Sequence, residues 1–170
     1  MFNILYLSLS LLLQGDIYQY SLTGINGDTI RLSDYKGKHI LIVNIATRSR
    51  YTGQLEKLEQ LYQKHKNALV VIAIPSNDFG HLPIADAALG DSIRSIHPVS
   101  FLLAAKTTVS GTGMHPLYQW LTRSSANGAM DSPVQADFYK YLVNKEGRLV
   151  GVFSNVIDPL NTDLENAINQ

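Results

Sequence analysis

Two apolar runs on either side of one amphipathic helix constrain the fold of this chain more than any other feature. Residues 39–46 form an apolar run broken only by Asn44, and residues 69–74 form a second one. Runs of this kind are typical of strands that are buried on both faces of a sheet. Between them, residues 52–67 carry leucines at helical spacing and basic side chains in the last turn. This strand–helix–strand order predicts two parallel strands joined by a right-handed crossover.

Further segments predict two hairpins and a closing helix. Residues 25–28 (I-N-G-D) lie between alternating segments, where Asn-Gly is a strong hairpin signal. Residues 144–147 (N-K-E-G) separate the apolar segments 138–143 and 148–154, which predicts a second hairpin. A closing helix is predicted to begin at the Asp158-Pro159 pair, because proline is favoured in the first turn of a helix.

The composition fits one globular domain and excludes several kinds of site. The 170 residues are 45% hydrophobic and 16% charged, which is enough apolar material for a core of its own. Fourteen basic residues balance fourteen acidic ones, so we predict no nucleic-acid partner. The chain has no cysteine, which removes disulfides, thiolate zinc sites and iron–sulfur clusters together. No cofactor is predicted.

The first sixteen residues differ in character from the rest of the chain. Residues 4–13 form an apolar run, and Gln14 and Gly15 follow it, where a small residue suits a signal peptidase. The run is too short for a stable membrane span. We interpret residues 1–16 as a signal peptide or N-terminal appendage and residues 17–170 as the folded domain. A signal peptide predicts export to the periplasm or the extracellular space, whereas a buried N-terminal element would leave the protein cytoplasmic.

Four segments, in order along the chain, resemble the glutathione peroxidase family. Residues 43–49 (V-N-I-A-T-R-S) resemble the run V-N-V-A-S-x that precedes the family's cysteine or selenocysteine. Residues 75–80 (P-S-N-D-F-G) resemble P-C-N-Q-F-G, and residues 114–121 (M-H-P-L-Y-Q-W-L) resemble A-H-P-L-Y-x-x-L. Residues 136–143 (A-D-F-Y-K-Y-L-V) resemble W-N-F-x-K-F-L-V. The resemblance covers nearly all of residues 17–170.

The resemblance implies an α/β protein with a thioredoxin fold: a central mixed β-sheet flanked by helices, with an additional N-terminal β-hairpin. The family reduces hydroperoxides with thiols in the response to oxidative stress, so glutathione or thioredoxin is the partner that the resemblance implies. Residues 122–134 form a short stretch, and the long loop through which tetrameric members associate is therefore expected to be absent. We predict a monomer.

All four positions of the family's catalytic tetrad carry a different residue in this chain. Ser49 stands where the family has its peroxidatic cysteine or selenocysteine, and Asp78 replaces the glutamine. Ala136 replaces the tryptophan, and Asp137 replaces the asparagine. The family fold should bring Ser49, Asp78 and Asp137 together. Five further residues are expected around this pocket: Arg48, Arg50, Asn77, Phe79 and His81.

A serine at this position prevents the family mechanism. A thiol peroxidase converts a thiolate into a sulfenic acid that a second thiol reduces, and a serine hydroxyl has no such oxidation states. Ionised carboxylates at Asp78 and Asp137 would only accept hydrogen bonds and would repel an anionic nucleophile. We therefore predict a member without peroxidase activity, acting as a non-catalytic binding or interaction module. The sequence does not identify its small-molecule or protein ligand.

Other uses of the same pocket stay open, because an enzyme with altered chemistry could use Ser49, Asp78 and Asp137. A serine hydrolase would need a base near Ser49, and of the five histidines only His81 is expected there, although no G-x-S-x-G motif surrounds the serine. Asp78, Asp137 and His81 could instead hold calcium, magnesium or manganese, without a supporting ligand-spacing motif. In the simplest alternative, the aspartates face solvent or pair with Arg48 or Arg50.

Overall fold

Two β-sheets organise the chain in the computed structural model, which describes residues 15–82 and 88–170. The first is an antiparallel hairpin of β1 (Ser21–Thr23) and β2 (Thr29–Arg31). The second has five strands: β3 (His39–Ile45), β4 (Leu69–Pro75), β5 (Leu102–Leu103), β6 (Lys140–Val143) and β7 (Leu149–Phe153). Their spatial order is β5-β4-β3-β6-β7. Strands β3, β4 and β5 are mutually parallel, whereas β6 is antiparallel to both of its neighbours, β3 and β7.

Helices cover both faces of the larger sheet. The described helices are α1 (Gln54–His65), α2 (Leu89–Ile96), α3 (Pro116–Thr122), α4 (Ser124–Asn127) and α5 (Thr162–Ile168). Strand β3 supplies both cores, because successive side chains point to opposite faces. Ile40 and Ile42 pack in a cluster with the hairpin and α3, whereas Leu41 and Val43 pack with α1 and α5. The domain is therefore layered around a sheet whose strands β3, β4 and β6 are fully buried.

The central prediction from the sequence is confirmed. Strands β3 and β4 are parallel neighbours in a register that sets Ile42 opposite Ile72, and helix α1 connects them. The predicted turns also form, since Gly27 and Gly147 adopt φ angles of +88° and +81° that favour glycine. The mixed sheet with its flanking helices and N-terminal hairpin is the fold class that the sequence predicts.

Two predicted boundaries differ from the structure. The closing helix begins at Thr162 and not at the Asp158-Pro159 pair, because the Asn161 side chain caps it by accepting the Asp163 amide at 2.9 Å. Asp158 closes the preceding turn by accepting the Leu160 amide at 2.9 Å. Strand β6 begins at Lys140 because Phe138 has a φ angle of +64°, which is incompatible with an extended strand.

The predicted signal peptide, residues 1–16, falls almost entirely outside the described residues. Gly15 is the first that the structure describes, and its carbonyl oxygen accepts a 2.7 Å hydrogen bond from the Trp120 indole. Within residues 15–82 and 88–170, no helix has the length and apolar character needed to cross a bilayer. Export therefore stays a prediction.

Candidate functional site

Ser49 lies where the β-α-β pattern predicts it, between the end of β3 and the start of α1. The side chain is nearly buried, with 7% of the residue exposed, and its Oγ accepts the Tyr51 amide at 3.3 Å. The Ser49 carbonyl oxygen accepts the Thr52 amide at 3.3 Å, which closes the turn leading into α1. The hydroxyl is therefore fixed at the carboxyl end of a central strand, where open α/β sheets bind their ligands.

A cavity of about 570 Å³ opens at Ser49. Four parts of the chain meet there: the turn after β3, the turn after β4, the segment before β6 and the turn after β7. The lining residues are Arg48, Ser49, Arg50, Tyr51, Phe79, His81, Gln135, Ala136, Asp137 and Asn155. Most of the expected pocket residues thus lie at one cavity, and Tyr51, Gln135 and Asn155 join them without any signal in the sequence. Asn77 and Asp78 do not line it.

The Asp137 carboxylate contacts the His81 imidazole at this cavity. Its Oδ2 atom lies 2.7 Å from His81 Nδ1, although the two residues are 56 positions apart in the sequence. The Asp137 side chain is only 3% exposed, whereas the His81 side chain is 54% exposed. The other oxygen, Oδ1, is buried and has no hydrogen-bond partner. The imidazole is therefore the hydrogen-bond partner of this buried side chain.

The segment that carries Asp137 is fastened to Asn44 of β3. The Asn44 side chain donates to the Ala136 carbonyl at 3.0 Å, and the Asn44 carbonyl accepts the Phe138 amide at 2.6 Å. The Asn44 amide donates to the Tyr139 carbonyl at 3.3 Å. These contacts hold Phe138 in its left-handed conformation and set the Asp137 side chain at the cavity. The polar break in the first apolar run thus has a structural role.

The structure does not bring Asp78 to Ser49 and Asp137. The Asp78 carboxylate accepts the backbone amides of Val109 and Ser110 at 2.6 and 2.8 Å. Asn77 also has a structural contact, since its side-chain oxygen accepts the Leu82 amide at 3.1 Å. The expectation that Asp78 and Asp137 converge is therefore wrong, because backbone amides of a distant loop bind the Asp78 carboxylate.

The structure also corrects two expectations about cations. Within the described part of the chain, neither Asp78 nor Asp137 forms an ion pair with Arg48 or Arg50. The Arg50 guanidinium donates to the Tyr51 hydroxyl at 2.8 Å and lies 4.9 Å from the centre of that ring. Residues 15–82 and 88–170 contain no cluster of three ligand-type side chains that could hold a metal ion, so the hypothetical site of Asp78, Asp137 and His81 is not assembled.

A buried lysine beside the site was not identified from the sequence. Lys140 is fully buried, and its ammonium donates to the carbonyl oxygens of Phe138 and Ser154 at 2.9 and 3.2 Å. Burial lowers its pKa to about 8, although the Asp158 carboxylate raises it in part. The sequence signal that could have identified it is the position of a lysine inside the apolar run 138–143. It ties the segment after Asp137 to the end of β7, next to the cavity residue Asn155.

The cavity therefore combines three chemical features. Ser49 offers a hydroxyl, His81 and Asp137 offer an imidazole held by a carboxylate, and Arg48 and Arg50 offer cations. Two guanidinium groups stand against one carboxylate at the cavity, which leaves an excess of positive charge there. This set can bind an anion and can move a proton. It has no sulfur with which to cycle through a sulfenic acid.

Comparison with known proteins gives consistent matches. The sequence profile of the family described as "Glutathione peroxidase" matches residues 17–122. A glutathione peroxidase of Lactococcus lactis subsp. cremoris is 32% identical over 146 residues, covering 85% of this chain and 92% of the relative.

Solved structures extend the comparison to the fold. The crystal structure titled "Trgpx in apo form" aligns with a TM-score of 0.71 and 28% identity, covering 92% of this chain and 97% of that one. A thioredoxin family thiol:disulfide interchange protein from Chlorobium tepidum aligns with a TM-score of 0.62 at 12% identity, covering 88% and 92% of the two chains. At that identity the likeness concerns the fold alone, and the fold is that of thioredoxin.

Proposed function

Because this chain belongs to the glutathione peroxidase family, we propose that it is a member without peroxidase activity, whose cavity binds a small anionic ligand. One observation carries the proposal: the chain contains no cysteine, and the resemblance of residues 43–49 to the family's active-site run aligns Ser49 with the peroxidatic residue. The family reaction needs a thiolate or selenolate that changes oxidation state, and a serine hydroxyl cannot do so. The retained cavity and fold support a binding role.

Positive charge at the cavity favours an anionic ligand. Arg48 and Arg50, which flank Ser49 in the sequence, both line the cavity, and one carboxylate, that of Asp137, faces them there. Guanidinium groups bind carboxylates through two parallel hydrogen bonds, which favours ligands that carry this group. Among small molecules, glutathione is the candidate suggested by the names of the relatives, and it carries carboxylates. Thioredoxin is the corresponding protein candidate by family membership alone.

Peroxidase activity is tested directly with the purified protein. Consumption of NADPH is followed with hydrogen peroxide or an organic hydroperoxide, with either glutathione and its reductase or thioredoxin and its reductase. We expect the rate to equal that of the protein-free control. Turnover above this background that survives treatment with a chelator would contradict the proposal, because it would require chemistry that Ser49 cannot perform.

Ligand binding is tested by the change in melting temperature, since a ligand that binds the folded state stabilises it by mass action. We expect glutathione and S-methylglutathione to raise the melting temperature equally, because binding would not need the thiol. Arg50→Ala should reduce the shift, and Arg31→Ala, on the exposed edge of the hairpin, should leave it unchanged. Equal shifts in both variants would show that the arginine at the cavity does not bind the ligand.

Compartment and oligomeric state complete the proposal. We infer export from the apolar run at residues 4–13, and expression in a bacterial host followed by N-terminal mass analysis of the periplasmic fraction tests it. The short connection between α3 and β6, which contains α4, supports a monomer. Light scattering during size exclusion should give a molar mass near the 18.8 kDa of the chain, or less if a leader is removed.

A further inference from the structure

A hydroxyl, an imidazole and a buried carboxylate line one cavity in this protein. Ser49, His81 and Asp137 come from three different segments, and the fold brings all three side chains to the same space of about 570 Å³. We propose that these residues form a hydrolytic site for esters, with Ser49 as nucleophile, His81 as general base and Asp137 as the residue that positions His81. This activity goes beyond ligand binding and uses none of the family's redox chemistry.

The contact between Asp137 and His81 sets the protonation of the imidazole. An ionised carboxylate only accepts hydrogen bonds, so Nδ1 must carry the proton that bridges the 2.7 Å to Asp137 Oδ2. In the neutral ring, Nε2 then keeps its lone pair and can take a proton. A nucleophile, a histidine and a carboxylate in this relation form the arrangement that activates serine in hydrolases.

The backbone holds His81 next to the Ser49 turn. The Arg48 amide donates to the His81 carbonyl at 3.0 Å, which links the residue before Ser49 to the residue that carries the imidazole. Ser49 Oγ at present accepts the Tyr51 amide at 3.3 Å and makes no hydrogen bond to His81. In the proposed reaction its hydroxyl donates to Nε2 once substrate fills the cavity, because catalytic hydrogen bonds often tighten only in the substrate complex.

Two acyl-transfer steps follow. Ser49 Oγ attacks the ester carbonyl carbon while its proton moves to His81 Nε2, and the carbon–oxygen bond to the alcohol breaks as Nε2 returns that proton to the leaving oxygen. Water then attacks the acylated serine, giving one proton to Nε2, and the bond between the carbonyl carbon and Ser49 Oγ breaks as the proton returns to Oγ. One ester and one water give one carboxylic acid and one alcohol, and no electrons are transferred.

The arginines define the class of substrate. Arg48 and Arg50, the sequence neighbours of the nucleophile, line the cavity and favour an acyl group that carries a carboxylate. Their charge also favours the negative carbonyl oxygen that develops during attack. The expected substrates are therefore small esters with an anionic acyl part, and neutral esters of the same size should react more slowly.

The experiment compares 4-nitrophenyl acetate with 4-nitrophenyl hydrogen succinate on the full chain. We expect a burst of nitrophenol with both esters, faster with succinate by about tenfold, as one additional charge contact of roughly 1.4 kcal/mol would give. Mass spectrometry of acid-quenched protein should place the acyl group on Ser49. A fluorophosphonate probe, which loses fluoride when a serine oxygen attacks phosphorus, should label the same residue.

Variants with matched controls separate this site from background reactivity. Ser49→Ala should remove the burst and the label, whereas Ser33→Ala, in the turn before β3, should retain both. His81→Gln should lower the acylation rate by about a hundredfold, the usual contribution of a general base, and His97→Gln beyond α2 should leave it unchanged. Asp137→Asn should lower kcat while KM is retained, and Asp137→Glu should recover part of kcat, because only the carboxylate fixes the imidazole.

Melting temperatures establish that each variant is folded before its rate is compared. If the folded wild-type protein gives neither a burst nor fluorophosphonate labelling at Ser49, the proposal is wrong. Hydrolysis that persists in folded Ser49→Ala also overturns it, because the reaction would then arise from other surface groups. A wild-type burst that is lost in Ser49→Ala and slowed in His81→Gln supports it.

Discussion

The buried ammonium of Lys140 donates a 2.9 Å hydrogen bond to the carbonyl oxygen of Phe138, two residues earlier in the chain. Because burial lowers the pKa of Lys140 to about 8, the unfolded chain binds its proton more strongly than the folded one does. A group that binds more protons in the unfolded state makes stability rise with pH. The effect of Lys140 therefore appears above pH 8 and is complete near its ordinary pKa of 10.5.

Replacing this lysine should remove that pH dependence. In the wild-type protein, Lys140 should make the free energy of unfolding rise by about 1 kcal/mol per pH unit between about pH 8 and 10. Above that window the raised pKa values of Tyr118 and Tyr141 act in the opposite direction, because their phenols ionise first in the unfolded chain. Urea unfolding at three pH values should show a flatter profile for Lys140→Met and an unchanged one for Lys38→Met. Equal slopes in all three proteins would contradict the assignment.

Restoring sulfur alone should give little peroxidase activity. In Ser49→Cys the Tyr51 amide and the start of α1 would stabilise the thiolate. The Asp137 carboxylate at the same cavity would destabilise it, because like charges repel. Ser49→Cys with Asp137→Asn should exceed the single variant by about tenfold, equivalent to one unit in the thiol pKa. Glutathione must be the donor, since the chain offers no second cysteine. The measurement is the NADPH-coupled rate, with Ser76→Cys, outside the cavity, as the control thiol.

The Asp78 carboxylate should contribute to stability and not to activity. Asp78→Ala leaves the Val109 and Ser110 amides without their acceptor, and we expect a loss of about 1 kcal/mol in the free energy of unfolding. Asp34→Ala, which removes only a long contact to a neighbouring serine hydroxyl, is the matched control. Adding Asp78→Gln to Ser49→Cys should not raise peroxidase turnover. A clear gain in turnover would mean that this side chain reaches the cavity after all.

Asn44 should couple the core to the cavity. Asn44→Ala removes the donor to the Ala136 carbonyl, and the loss of this buried contact should cost about 2 kcal/mol. Asn127→Ala, at another buried asparagine that bonds to backbone carbonyls, should destabilise the protein similarly. Only Asn44→Ala should change the chemical shifts of the His81 ring in NMR spectra, because only Asn44 fastens the segment that carries Asp137. Unchanged His81 signals in Asn44→Ala would contradict this role.

The regular part of the fold could be predicted because its signals are local. Apolar runs and glycine turns indicate β3, β4 and both hairpins without any distant contact. The position of Ser49 follows from the same pattern, since it stands just after a central strand. Helix α2 was not predicted, although Leu89, Ile93 and Ile96 recur at helical spacing. The two-residue strand β5 was not predicted, because only its pairing with β4 defines it.

The details of the site depended on long-range partners that a sequence does not display. Asp78 is directed by two amides more than thirty positions away, and Asp137 by an imidazole 56 positions away. The arginines that flank Ser49 in the sequence were the expected partners of both carboxylates, yet Arg50 stacks on the ring of Tyr51. The left-handed Phe138 likewise follows from its hydrogen bond to Asn44 and not from any preference of phenylalanine.

The fastening of residues 136–139 to Asn44 uses only main-chain atoms of that segment. The identities of the side chains at positions 136 and 137 do not enter it. A lineage with this scaffold can therefore exchange its reactive groups one at a time and still inherit the shape of the cavity. The shape of the cavity and its chemistry therefore depend on different atoms of the same segment.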